Sequence, residues 1–434
     1  MGLRIMDKKI RRHLPPGSGE YSVGCVDIMS DHTDDGSFFR LYYPVEKTDI
    51  FERDTQWPLW LPRKQYIFGY LHFLKWNPKI FGKFFRWIGG DIYVPALWMA
   101  PLCQSADKYP VIVFSHGIGG NRTTYTTLCL ELASQGFIVA SIEHRDGSAS
   151  MTYHLRDYFG GNLNDYVDSA KKVKKKTLHR SPSFKEEWKP FEHTDVMGIS
   201  WDDFQYRNKQ VHKRADECVK LLNVLTALND GRGIQNFLGF YFNTKQFKSK
   251  LDLSQVAMVG HSFGGATCVC ALAKDKRFKV GIVLDGWMHP LDGEVIPMVT
   301  QPILMLNYAS FQWRKNIEQM KQLERKDVER IMITIKGTCH QSCTDFQFLF
   351  NKPLGKLLDV RHVLSPKKAM DINFKAVLSF LWKHLGINGK EYHEDVLNGS
   401  HKLVLTGTNI DMEIEGGDSP FSPKSYIKLP DDLS

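Results

Sequence analysis

The most constraining stretch of this chain is a run of eighteen residues: Val256-Ala257-Met258-Val259, then Gly260-His261-Ser262-Phe263-Gly264-Gly265, then Ala266-Thr267-Cys268-Val269-Cys270-Ala271-Leu272-Ala273. An apolar β-type run meets a Gly-x-Ser-x-Gly turn and passes at once into a helix of small residues. That order is the strand, sharp turn and helix in which a serine hydroxyl is lifted to the edge of a sheet. Gly260 and Gly264 leave room for strand and helix to approach each other around the turn. The helix N-terminus then faces any negative charge that develops beside Ser262.

Short Val- and Ile-rich runs at 111–115, 137–142, 256–260, 280–284, 303–307 and 331–335 alternate with helical patterns, which predicts an α/β fold with a mostly parallel central sheet flanked by helices. Residues 21–28 and 37–43 around an Asp-Asp-Gly turn predict an antiparallel hairpin at the N-terminus. Val211, Ala215, Cys218, Leu222 and Leu225 keep helical spacing, and Asn229-Asp230-Gly231 stops the helix. The expected organisation is a flexible basic N-terminus over 1–20 and one catalytic domain over 21–386. Within it, 146–208 reads as a polar surface insertion carrying Lys171-Lys172-Val173-Lys174-Lys175-Lys176. A loosely packed polar tail is expected over 387–434.

A serine hydroxyl is a weak nucleophile near neutral pH, so a base must stand within hydrogen-bonding reach, oriented by a third group. His340, just beyond the run 331–335, is the base candidate. His261, His116, His289, His362 and His384 fit less well by position. Asp285 ends the run 280–284 and is the first acid candidate, with Asp292, Asp327 and Asp345 as open rivals. The order serine, acid, histidine is that of the α/β-hydrolase fold. Phe114-Ser115-His116-Gly117-Ile118-Gly119-Gly120 predicts a loop whose backbone completes an oxyanion hole, with the N–H groups of Ile118 and Phe263 as donors. No metal or cofactor is called for: Cys339, His340 and Cys343 cluster, but no second ligand set with zinc spacing accompanies them.

The formal net charge is +9, and no nucleic-acid recognition module accompanies it, so nucleic acid is not an expected partner. Eight dispersed cysteines do not form a disulfide framework. The first residues contain no apolar run of signal-peptide length, which leads to the expectation of a cytoplasmic protein. Gly2 invites N-myristoylation, but Met6 stands where that motif has Ser or Thr.

Six blocks recur together here: Gly36-Ser37-Phe38-Phe39-Arg40-Leu41, Val113-Phe114-Ser115-His116-Gly117-Ile118-Gly119, Glu143-His144-Arg145-Asp146 with Ser148-Ala149-Ser150, Gly260 to Thr267, Leu284-Asp285-Gly286-Trp287-Met288 and His340-Gln341. In them the chain resembles the platelet-activating factor acetylhydrolase family along most of its length. The resemblance implies Ser262 as nucleophile, Asp285 as acid and His340 as base. It also implies calcium-independent removal of the sn-2 acetyl group, or of short or oxidised acyl groups, from phospholipids. Ile118 stands where the family has Leu, which a backbone donor tolerates.

Between Arg63 and Gly90 there is no acidic residue, while Lys75, Lys79, Lys83 and Arg86 interleave with aromatic residues that include Trp76, Phe84 and Trp87. Asn77-Pro78 reads as an N-cap and first helical residue, so 63–90 is expected to form two short helices lying on a membrane surface, not across it. A second apolar patch, Phe346, Phe348, Leu349, Phe350, Leu354, Leu357 and Leu358, follows His340.

Overall fold

The computed structural model describes residues 11–157, 184–194 and 201–412. The Gly2–Met6 site and the lysine run 171–176 lie outside the described residues. Among the described residues, ten strands form one sheet. In chain order they are β1 (Ser22–Met29), β2 (Phe38–Val45), β3 (Leu97–Trp98), β4 (Tyr109–Ser115), β5 (Ile138–Ile142), then β8 (Leu251–His261), β9 (Phe278–Leu284), β10 (Ile303–Tyr308), β11 (Arg330–Ile335) and β12 (Val404–Thr406). Their spatial order is β12-β11-β10-β9-β8-β4-β5-β2-β1-β3, and the six neighbours β11-β10-β9-β8-β4-β5 pair in parallel. The expected N-terminal hairpin is present, with Ser22 opposite Val45 and Met29 opposite Phe38.

Successive strand residues point to opposite faces, and the central strands are apolar on both. Ile112, Phe114, Ala257 and Val259 feed one core, which helix α3 (Thr126–Ser134) and helix α6 (Pro366–His384) cover. Val111, Val113, Val256 and Met258 feed the other, under helix α4 (Trp201–Asn229) and helix α5 (Phe263–Lys274). Burial on both faces explains why these runs read as continuous apolar stretches and not as alternating ones.

Three expectations about the periphery are corrected. Residues 11–20 are held in place: the Leu14 N–H donates to Tyr93 O, Leu14 is buried, and the Ser18 N–H donates to Glu131. The stretch 146–208 is not all surface loop. It holds β6 (Met151–Asp157) paired antiparallel with β7 (Phe184–Pro190), and α4 already starts at Trp201. Tyr153 of β6 packs on Phe38 and Trp188. The region after 386 is not loose at first, because β12 adds to the sheet edge beside β11 and Val396 and Val404 are buried.

Two helices, α1 (Gln65–Phe73) and α2 (Pro78–Gly89), occupy the segment 63–90. The Asn77 side chain accepts the Lys79 N–H at 2.9 Å and Pro78 starts the first turn, where its missing N–H costs nothing.

Candidate active site

The parallel strands deliver three side chains to one point. At the turn from β8 into α5, Ser262 adopts φ 56° and ψ −118°, a backbone conformation that costs a non-glycine residue strain and is kept only where its surroundings enforce it. Those surroundings are specific. A Cβ on Gly260 would stand 1.9 Å from the Gly264 carbonyl oxygen, and one on Gly264 would stand 2.1 Å from that of Ser115. The Ser262 N–H donates to Leu284 O at 2.9 Å, while Ser262 O accepts from the N–H groups of Gly265 and Trp287.

His340 follows β11 and reaches back to this turn. Its Nε2 lies 2.9 Å from Ser262 Oγ, and its Nδ1 lies 2.7 Å from Asp285 Oδ2. Asp285, 1% exposed, leaves β9 with a positive φ of 45° and is fixed at its other oxygen, where Oδ1 accepts the Tyr308 N–H at 2.8 Å. With Asp285 as acceptor, the His340 proton sits on Nδ1 and Nε2 accepts the Ser262 hydroxyl. The His340 ring is stacked on Phe311 at 3.6 Å and flanked by His261 at 4.5 Å.

None of the rival acids reaches this imidazole. Asp292 bonds to Asn208 and His212, and Asp327 is tied to Arg325 at the surface. Asp345 is buried, accepts the N–H groups of Thr126 and Thr127 and so caps α3, and also accepts Trp60 Nε1. Three of the rival histidines have other partners. His289 stacks on Trp287 and His384 bonds to Glu329. His261 Nε2 donates to the His340 carbonyl and its Nδ1 accepts the Tyr125 hydroxyl. Burial first, then the neighbouring His340, holds the His261 pKa well below the ordinary histidine range, so this ring is neutral.

His261, Asp285 and His340 are close enough to offer a metal ion three donors. Each of those donors is already committed to a hydrogen bond within the site. Cys339 and Cys343 are buried thiols whose pKa burial pushes up, that of Cys339 to about 12, which disfavours the thiolate a metal would need.

The loop after β4 passes beside Ser262. The Gly117 N–H donates to the Tyr125 hydroxyl, Gly119 to Ser148 O and Gly120 to Gly117 O. The N–H of Ile118 takes no part in these bonds, and that of Phe263 is the first of α5, with no carbonyl of its own helix to accept it. Tyr125 ties the loop to His261, and Phe311 covers His340. Neither residue carries a motif or spacing that would single it out before the fold is known.

The basic and aromatic segment divides sharply. On α1, Tyr66, Tyr70 and Leu71 are buried in the core, whereas α2 presents Lys79, Ile80, Phe81, Lys83 and Phe84 to solvent, Ile80 being 69% exposed. Lys75 is exposed between the helices, and Trp76 is half-buried against Phe81 and Phe85. The Trp87 side chain lies outside what is described. The second apolar patch packs against this pair: Phe346 meets Trp60 and Tyr70, and Phe350 meets Phe85. Leu357 remains exposed beside Lys352 and Lys356. The two segments, separate in sequence, meet where Phe350 packs on Phe85 and Phe346 on Tyr70.

Residues 6–402 match the family described as platelet-activating factor acetylhydrolase, isoform II. The chain is 40% identical to platelet-activating factor acetylhydrolase of Canis lupus familiaris over 95% of its own length and 86% of that protein's. It is 39% identical to the protein of the same name from Bos taurus, over 92% of this chain and 83% of that one. Among solved structures, a ferulic acid esterase from Streptomyces cinnamoneus superposes with a TM-score of 0.58 at 17% identity, covering 91% of this chain and 99% of its own, which is a likeness of fold.

Proposed function

The chain belongs to the platelet-activating factor acetylhydrolase family, and on that premise we propose that Ser262, His340 and Asp285 carry out its reaction as nucleophile, general base and orienting acid. The protein is a serine hydrolase that acts on the sn-2 acetyl ester of platelet-activating factor, a phospholipid. The observation that carries the residue roles is the unbroken chain of contacts from Ser262 Oγ to His340 Nε2 at 2.9 Å and from His340 Nδ1 to Asp285 Oδ2 at 2.7 Å.

The Ser262 oxygen attacks the ester carbonyl as its proton passes to His340 Nε2. The developing oxyanion lies against the N–H groups of Ile118 and Phe263, with the positive end of α5 behind the second of them. When the tetrahedral intermediate collapses, the C–O bond to the lipid breaks and His340 returns its proton to the leaving alcohol oxygen. The acetyl group stays on Ser262. Water then gives a proton to His340, attacks the acyl carbon and releases acetate, restoring the hydroxyl. Every proton in this cycle moves through His340, and no calcium ion has a part in it.

The lipid reaches Ser262 from a surface to which the protein docks through α2 and the short helix Lys352–Leu357. Exposed Ile80, Phe81, Phe84 and Leu357 enter the interface, and Lys75, Lys79, Lys83, Lys352 and Lys356 meet anionic headgroups. No helix among the described residues is long and apolar enough to cross a membrane, and docking of this kind needs none. The eight cysteines are buried free thiols, a state that suits a reducing compartment, and we place the protein in the cytoplasm.

The test is Ser262→Ala together with active-site labelling. The variant should lose nearly all esterase activity while keeping its fold, and a fluorophosphonate should modify Ser262 alone. Retained activity, or labelling at another residue, refutes the assignment.

A further inference from the structure

We infer that Arg214, on the inner face of α4, is a positioning residue that sets the distance between the two oxyanion donors; the inference rests on the assignment of Ile118 and Phe263 as those donors. Arg214 is fully buried and touches both arms of the site. Its Nη2 donates to the His116 carbonyl at 2.6 Å, in the loop that presents Ile118 two residues later. Its Nη1 donates to Thr267 Oγ1 at 3.2 Å, and that hydroxyl donates to the Phe263 carbonyl at 3.0 Å. The guanidinium carbon also lies 4.5 Å from the centre of the Phe263 ring, within cation–π range.

A third connection runs through the counter-charge. Asp146 Oδ2 stands 3.6 Å from Arg214 Nε, and its Oδ1 accepts both the N–H and the hydroxyl of Ser148. The Ser148 carbonyl in turn accepts the Gly119 N–H. One rigid planar group is therefore bonded to the end of β4, to the first turn of α5 and, through Asp146, to the far side of the Ile118 loop.

Packing alone does not account for an arginine here. Burying a guanidinium is expensive, and an apolar side chain of similar volume would fill the space at lower cost. Its nearest carboxylate makes no hydrogen bond to Nε, since 3.6 Å is an ion-pair distance only. What an apolar residue lacks is the fork that reaches two acceptors on different elements at once. Lysine lacks it too, because its ammonium is a point donor on a flexible stem. The surrounding histidines keep this charge unopposed: burial first, and then Arg214 itself, hold His116 and His144 well below the ordinary histidine range.

The experiment uses the full chain, a soluble short-chain ester, a fluorophosphonate to count competent sites and a trifluoromethyl ketone, which adds to the serine as an oxyanion. Arg214→Met and Arg214→Lys should each lower kcat per titrated site by about 10²-fold, the scale of losing one oxyanion donor. KM should change by less than about threefold, and affinity for the ketone should fall by the same factor as kcat/KM. Lysine should recover less than about tenfold of the loss, since the charge returns without the fork. Should both variants fail to fold, Thr267→Val breaks only the link to Phe263 and should lower kcat per site by about fivefold. A normal kcat per titrated site, with the loss confined to the number of sites, makes Arg214 structural and overturns the inference. Failure of the underlying reading looks different: Ser262→Ala would stay active, or the fluorophosphonate would leave Ser262 unlabelled.

Discussion

Replacing Asp285 by Asn exchanges one carboxylate oxygen for an NH2 group where two donors each need an acceptor. Oδ1 of Asp285 accepts the Tyr308 N–H and Oδ2 accepts His340 Nδ1–H, at 2.8 and 2.7 Å. An asparagine has one oxygen for these two donors. Turned to satisfy Tyr308, it directs its NH2 at His340 Nδ1, which must then accept, moving the imidazole proton to Nε2. In that tautomer His340 cannot take the Ser262 proton. Turned the other way, the NH2 faces the Tyr308 N–H in a buried site, and a buried unsatisfied donor costs about 1–3 kcal/mol. The fraction of enzyme in the productive tautomer thus falls by about 10- to 100-fold. Even that fraction lacks the carboxylate charge that stabilises the imidazolium, a charge-assisted bond whose loss costs about 2–3 kcal/mol more. The sum is about 3–6 kcal/mol, or roughly 10²- to 10⁴-fold in rate, the upper end matching buried triad acids in general. The assay is kcat on a soluble ester, normalised to folded protein by near-ultraviolet circular dichroism. A variant within about tenfold of the parent would refute the reasoning, because neither orientation of the amide could give it.

Charge reversal of Lys75, Lys79 and Lys83 together should weaken binding to anionic vesicles by at least about 3 kcal/mol at low salt, at about 1 kcal/mol per cation, and the loss should shrink as salt is raised. Trimming Ile80, Phe81 and Phe84 to Ala should weaken it in a largely salt-independent way, and turnover of a soluble ester should survive both changes; unchanged vesicle partitioning would sink the docking surface. Chelators should leave the rate of the purified enzyme unaltered, and a loss restored by added calcium would contradict the proposed cycle. Burial alone would raise the Asp27 pKa, but Arg122 and Arg40, bonded to it at 2.6–2.9 Å, outweigh burial and hold it below the usual aspartate range. A pKa depressed in the folded state means stability that is present above the unfolded value of about 3.9 and lost as pH falls below it. Thermal unfolding of Asp27→Asn should therefore lie well below that of the parent at pH 7 and approach it below about pH 4; parallel curves would show that Asp27 carries no such linkage.

What the sequence determined by itself is what depends on neighbours along the chain. The turn at Ser262 is legible because strand, glycines and helix are contiguous and each residue type has a local steric reason to be there. The central strands are legible because burial on both faces demands unbroken apolar runs, and α2 because Asn77 and Pro78 mark its start. Which carboxylate stands beside His340 was legible only as a ranking. Asp285 came first because it ends a strand run, but Asp292, Asp327 and Asp345 also follow Ser262, and composition does not say which side chain turns toward His340. The order β8-β9-β10-β11 sets Asp285 beside His340 and spends Asp345 on the N-terminus of α3, 219 residues away in sequence. Edge strands escaped notice for want of a buried pattern: β7 has an exposed face that leaves it polar, and β12 has only three residues. Arg214 is the limiting case. Its position keeps the helical spacing of α4, but its contacts lie on the loop after β4 and on α5, and chain stiffness cannot encode a hydrogen bond between residues about a hundred positions apart. Such contacts exist only once burial of both sheet faces has brought the elements together, because packing, not local preference, selects which distant groups meet.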